Sequence, residues 1–331
     1  IIMSIKTVSK KMLAIVAAGA MTMGLAMPTS VFAAEGDTAT KVTEAYISKT
    51  FNREVAKDET FSFKATQVAG STADVTIPNI SFSGTETGTT TQRAQVSFPT
   101  SWPDAGKYEY TVKETEATPA ITGEHQKMIM SHAEYTMDVY VINGDNGLEI
   151  SNIIVNKTKD DKGTAVTGKV DISNTDKNGF NFTNTYVQEA GTGTDPVNPG
   201  PDYTTYGSLD VSKKIKTDAA DTADTNKEFE FTADFTFPNG TDATTLGAKA
   251  TIGDSTTSIT GTSHTFKLKH GQDVKFTGLP VGTKISVTES ATPNYKGSAE
   301  VVINNGTKEA VAETKYNEAL TVSDKTLGQY K

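Results

Sequence analysis

KYEYTVKETE, residues 107–116, alternates as a strand with one buried face does: Tyr108, Tyr110 and Val112 share a side, and the next residue on that side is Glu114. Two other segments repeat the anomaly. In AYISKTF, residues 45–51, Lys49 shares its face with Ile47 and Phe51, and in FNFTNTYV, residues 180–187, Asn184 shares its face with Phe180, Phe182 and Tyr186. An ammonium, a carboxyl and a carboxamide each cost several kcal/mol to bury alone, so the three are expected to satisfy one another in a single cluster. The chemistry open to such a cluster is attack of the Lys49 amine on the Asn184 side chain, with Glu114 moving the protons, to give an intramolecular isopeptide bond. Burial lowers the pKa of an amine and raises that of a carboxyl, so the reactive neutral pair can exist near neutral pH.

Working outward, FSFKATQV (61–68), ADVTIPNI (73–80), RAQVSF (93–98), YTMDVYVI (135–142) and LEISNIIV (148–155) are β-branched, aromatic and partly alternating, with Gly, Asn, Asp and Thr turns between them. Such a succession predicts an all-β chain of immunoglobulin-like sandwiches. AGTGTDPVNPGPDY, residues 190–203, is rich in Gly and Pro and reads as a semi-rigid linker. Beyond it the pattern recurs. SLDVSKKI places Leu209, Val211, Lys213 and Ile215 on one face, FEFTADF (229–235) echoes FSFKA (61–65), and KISVTESATP echoes TVKETEATP, with Glu289 on the face of Ile285 and Val287. The chain is therefore expected to be a diverged tandem repeat, with a first domain at 40–189, a linker at 190–206 and a second domain at 207–331. Parity alone leaves Glu116 beside Glu114 as the assisting acid. The spacing of Glu114 from Val112, equal to that of Glu289 from Val287, favours Glu114.

At the start, Lys6, Lys10 and Lys11 precede an apolar run from Met12 to Met27, followed by Val31-Phe32-Ala33, which reads as a secretory signal peptide over residues 1–33. Its removal leaves a chain three charges more acidic than the formal −9, which argues against nucleic acid or an anionic membrane as partner. There is no Cys, so covalent bracing of an exported chain must use chemistry other than disulfides. At 36% hydrophobic residues there is enough apolar material for two ordinary cores.

YISK, YTVKE and FTNTY in the first half, with LDVSKK and FKLKHGQDVKFTGLPVGTKISVTE in the second, resemble the backbone pilins of Gram-positive bacteria, most closely the streptococcal T-antigen type. The resemblance implies two tandem immunoglobulin-like (CnaB-type) domains. Lys49 and Asn184 would be joined with help from Glu114, and Lys213 and Glu289 would be the corresponding residues of the second domain. It also implies an F-x-N motif on the final strand, whereas this sequence closes on LGQYK; Asn304 and Asn305 lie too early, and the second domain is expected to be cut short. The same resemblance makes Lys177, in NTDKNGF, the amine that a pilus sortase joins to the C-terminal threonine of the next subunit. Expected partners are other copies of the chain, the sortase, minor pilins and the host surface, at a cell-wall-anchored pilus of a secreted protein. No LPxTG-like sorting motif is present in the sequence.

No cofactor or metal is expected: His125, His132, His264 and His270 have no ligand spacing, and GxSxG, complete GxGxxG and HExxH are absent. NGDNGLE (143–149) lacks the acidic set of a calcium loop and reads as a turn. The expected function is a structural shaft subunit whose only chemistry is single-turnover self-crosslinking. The alternative is a ligand-binding surface adhesin built from the same domains.

Overall fold

Alternation of aromatic and β-branched residues with polar ones carries through into the backbone, and every regular element among the described residues is a strand. The computed structural model describes residues 41–191, 202–217, 223–302 and 307–328. The leader expected at 1–33, the middle of the Gly/Pro-rich segment at 192–201 and the terminal residues 329–331 lie outside the described residues.

The first half is a two-sheet sandwich. One sheet has the order β4 (Gly88–Gln95), β1 (Tyr46–Arg53), β10 (Gly179–Gln188), β6 (Gln126–Ile129). The other runs β3 (Ile80–Phe82), β2 (Glu59–Ala69), β5 (Gly106–Thr118), β7 (Glu134–Gly144), β8 (Gly147–Lys159), β9 (Ala165–Val170). Between them lies a core that includes Phe51, Phe61, Phe82, Tyr108, Tyr110, Val112, Tyr135 and Phe182. Phe51, Phe61 and Phe82 meet edge to face with centroids 5.1 to 5.8 Å apart, and burial of each ring contributes roughly 1.5 to 3 kcal/mol.

One pairing departs from the antiparallel pattern. The first and last strands, β1 and β10, are parallel neighbours, in a register that sets Phe51 opposite Asn184 and Lys49 opposite Phe182. Phe51 faces the core, so this register turns Asn184 inward and leaves Lys49 one step away on the same face. The same face ends at Arg53, a buried charge the sequence reading passed over. Its guanidinium donates to the carbonyls of Glu86 (2.7 Å) and Lys57 (3.0 Å) and lies over the Phe51 ring.

The second half repeats the plan with shorter strands. One sheet runs β11 (Leu209–Ser212), β16 (Asp273–Thr277), β13 (Lys249–Ile252), β14 (Ser255–Ser258), and its partner β15 (Ser263–Leu268), β12 (Phe229–Thr236), β17 (Lys284–Glu289), β20 (Leu320–Thr326). An antiparallel pair, β18 (Ala299–Val301) and β19 (Glu309–Val311), completes it. A separate core gathers Phe229, Phe231, Phe235, Phe266, Phe276 and Leu279.

The halves are joined by more than a linker. Past β10 the chain bridges to the 279–281 segment: Ala190 N–H donates to Leu279 O and Val281 N–H to Gln188 O, both at 2.8 Å. Ala190, which the sequence reading gives to the linker, is buried in the second core. Between the bridges the buried Glu189 carboxylate accepts from Gly278 N–H (2.6 Å) and Ser208 Oγ (3.2 Å), and its other oxygen is 2.6 Å from His125 Nδ1. His125 stacks on Tyr203, whose hydroxyl donates to the Glu189 carbonyl. The strand that carries Asn184 thus runs directly into the second half.

Candidate functional site

Lys49, Glu114 and Asn184 come together inside the first sandwich. Lys49 and Asn184 are 0% exposed, and the Glu114 side chain between them is equally sealed. One carboxylate oxygen serves both neighbours: Glu114 Oε1 accepts from Lys49 Nζ at 2.5 Å and from Asn184 Nδ2 at 3.2 Å. The other oxygen, Oε2, is buried without a hydrogen-bond partner, which for a charged carboxylate would be costly. Lys49 Nζ also sits 4.2 Å from the centroid of the Phe61 ring.

A β-bulge separates the two candidate acids. Across β2 and β5, Phe63 opposes Glu114 while the adjacent Ser62 opposes Glu116, so Thr115 is an extra residue and the alternation shifts by one. Ala117 therefore turns toward the core and Glu116 to solvent, against the parity that a regular strand would give.

Desolvation sets the electrostatics. It lowers the Lys49 amine from 10.5 to about 8, against the opposing pull of Glu114 and, less, of Asp161. It raises the Glu114 carboxyl, with Lys49, Asn184 and the Ser131 backbone acting the other way. Both shifts favour the uncharged pair, an amine with a free lone pair beside a carboxyl that can give a proton.

Sequence reasoning missed the far side of the carboxamide. Asn184 Oδ1 accepts the main-chain N–H of Ser131 at 2.7 Å, and Asn184 Nδ2 lies 3.3 Å from Met130 Sδ. Ser131 Oγ in turn donates to Asp161 Oδ1 at 2.5 Å. Neither MSHAEY (130–135) nor the turn-like KDDKG (159–163) carries a signal of this contact, because their meeting depends on how β6, β8 and β10 stack.

Residues 39–187 match the model of the Spy0128-like isopeptide containing domain, FctA. The first sandwich is thus similar to this family. The relation to Gram-positive major pilins read from YISK, YTVKE and FTNTY is thereby borne out for the isopeptide domain. Residues 207–325 match a domain of unknown function, DUF7601. Among solved structures, the chain is similar to the major pilin from Streptococcus pyogenes at 17% identity and TM-score 0.35, covering 87% of this chain and 95% of that one. The T3.2 major pilin of the same organism gives 21% identity, TM-score 0.31 and the same two coverages, 87% and 95%. The T-13 major pilin gives 17% and 0.31, covering 86% and 97%. No curated protein matches the chain.

Outside the isopeptide domain, Lys213 and Glu289 form a second ion pair, with Lys213 Nζ 4.0 Å from the centroid of the Phe229 ring. Lys213 lies just past the end of β11 rather than within it, and no carboxamide among the described residues hydrogen-bonds to the pair. Lys177 is placed elsewhere, exposed at a turn with φ of 50°. That turn is held by Asp176 and Asn178, which bond to Ser173, and by Asn174, whose side-chain oxygen accepts the N–H groups of Thr43 and Glu44. No group of three potential metal ligands gathers among the described residues.

Proposed function

We propose that the chain is a structural subunit of a covalently polymerised surface pilus, and that its first domain crosslinks itself through a Lys49–Asn184 isopeptide bond. The observation that carries this reading is the single Glu114 oxygen shared by a buried amine and a buried carboxamide, within a domain similar to the isopeptide family. In the reaction the neutral Lys49 Nζ attacks Asn184 Cγ, and protonated Glu114 gives its proton to Nδ2. The Cγ–Nδ2 bond then breaks, ammonia leaves, and Glu114 recovers a proton from Nζ. Atoms balance with the loss of one ammonia, about 17 Da. Folding supplies the proximity that replaces a bimolecular encounter.

The bond would join the first and last strands of a domain at 40–189. Tension arriving through β10 then passes to β1 across a covalent link before it loads the core. Lys213 and Glu289 are the equivalent amine and acid of a second domain at 207–331. Residues 1–33 would direct export and be removed as a leader. Lys177 is the intersubunit nucleophile: its amine is exposed, and its turn is tied to the segment ahead of β1. Co-expression with a pilus sortase tests the polymer. The chain carrying an appended sortase sorting motif should give ladders that survive SDS, and Lys177→Ala should collapse them to monomer without altering the intramolecular bond. Ladders that persist in Lys177→Ala would rule that lysine out.

A further inference from the structure

The Asn184 carbonyl is gripped by a short connection that crosses the end of the site between β6 and β7. Three successive N–H groups of that connection are all engaged. Ser131 donates to Asn184 Oδ1 (2.7 Å), His132 to Asp161 O (3.0 Å) and Ala133 to Ser131 Oγ (3.2 Å). Asp161 fixes both sides of the first contact at once. Its Oδ1 accepts Ser131 Oγ at 2.5 Å and also, at 2.9 Å, the N–H of Thr183, the residue before Asn184. Asp161 is itself held by a turn in which Asp160 Oδ1 accepts the N–H groups of Lys162 and Thr164, both at 2.9 Å.

When an amine adds to a carboxamide, negative charge grows on the carbonyl oxygen. A donor already aimed at that oxygen in a water-excluded site stabilises the developing charge without reorganising. We propose that the Ser131 main-chain N–H is the oxyanion donor for attack on Asn184, and that Asp161 is the positioning residue that sets it. This rests on the Lys49–Asn184 bond proposed above. It adds a division of labour, in which Glu114 handles the protons on the nitrogen side of the carboxamide and Ser131 takes the charge on the oxygen side.

The test follows bond formation in time. The full chain is synthesised cell-free, samples are quenched in denaturant at intervals, and ammonia loss is read from intact mass. Asp161→Ala strips the acceptor from both Ser131 Oγ and Thr183 N–H and should slow the loss at least about tenfold. Asp161→Asn keeps an acceptor oxygen and should recover most of the rate. Its pH–rate profile should move to lower pH, because the Asp161 charge that helps hold Lys49 protonated is gone. The charged groups around the pair are Glu114, Asp161 and, 3.8 Å from Asp161, Lys157. Rescue of the rate by Asp161→Asn, which keeps the acceptor and loses the charge, separates positioning through the acceptor oxygen from a merely structural role. Should Asp161→Ala fail to fold, Ser131→Ala decides, since it removes the hydroxyl tie and no backbone atom. It should slow the reaction severalfold, and an unchanged rate would overturn the assignment. So would wild-type kinetics in folded Asp161→Ala, or a rate in Asp161→Asn as slow as that of Asp161→Ala. Absence of any ammonia loss from the unsubstituted chain would instead overturn the bond itself, and with it this inference.

Discussion

The two lysine–glutamate pairs stand on one scaffold at different depths. In the first half Lys49 lies over Phe61 and Glu114 opposes Phe63 across the β2–β5 ladder; in the second Lys213 lies over Phe229 and Glu289 opposes Phe231 across β12–β17. Phe61 and Phe63 correspond to Phe229 and Phe231 in the tandem repeat, so the placement of amine and acid belongs to the shared fold. The environment does not. The side chains of the first pair are 0% exposed and meet a carboxamide, whereas those of the second are 13% and 14% exposed and meet none among the described residues. The lesson is that a Lys over a Phe with a Glu across the strand is a frame both halves share. Sealing it, and supplying a third side chain from a parallel neighbour, is what would turn the frame into the proposed reaction.

The largest effect that would sharpen this contrast is on stability. Lys49 and Asn184 are 135 residues apart, and by analogy with disulfide loop closure a bond between them contributes on the order of 4 to 5 kcal/mol. Lys49→Ala should therefore lower the unfolding midpoint of the first domain by roughly 10 to 20 °C in calorimetry. A shift as small as that of a surface substitution would break the comparison.

A smaller effect is electrostatic and shows only when the bond is blocked. In Asn184→Ala the Lys49 amine stays unreacted, with a folded pKa of about 8 against an ordinary 10.5. Between those values the unfolded chain binds the extra proton, so stability rises with pH across that window and the penalty on Lys49 is fully present below it. Relative to the double variant Lys49→Met/Asn184→Ala, the single variant should gain stability from about pH 8 to 10.5 in urea titrations. Parallel curves would show that Lys49 is not desolvated.

The smallest effect belongs to the second pair. Lys213→Ala in this chain removes a partly exposed ion pair and the contact with Phe229, and should cost about 1 kcal/mol or less by chemical denaturation, with no change in ammonia lost. A loss as large as that for Lys49→Ala would erase the distinction between the two halves.

Much of the first site was legible in the sequence because strand parity is a strong code. Ile47, Phe51, Tyr110, Val112, Phe180 and Phe182 mark the buried faces, and Lys49, Glu114 and Asn184 fall on them. Parity fails where the period breaks. The bulge at Thr115 turns Glu116 outward, and alternation alone could not show it. Lys213 falls outside β11, which ends at Ser212. The parallel pairing of β1 with β10, the Ser131–Asp161 brace and the Glu189 joint all depend on contacts between segments distant in sequence and unremarkable in composition. None leaves a local signature.

Intact mass of the folded full-length chain tests the central claim most directly. The account predicts a mass one ammonia, about 17 Da, below that of the sequence, and no deficit in Lys49→Ala or Glu114→Ala. An unsubstituted chain at its full sequence mass, or a deficit that survives in Lys49→Ala, would contradict it.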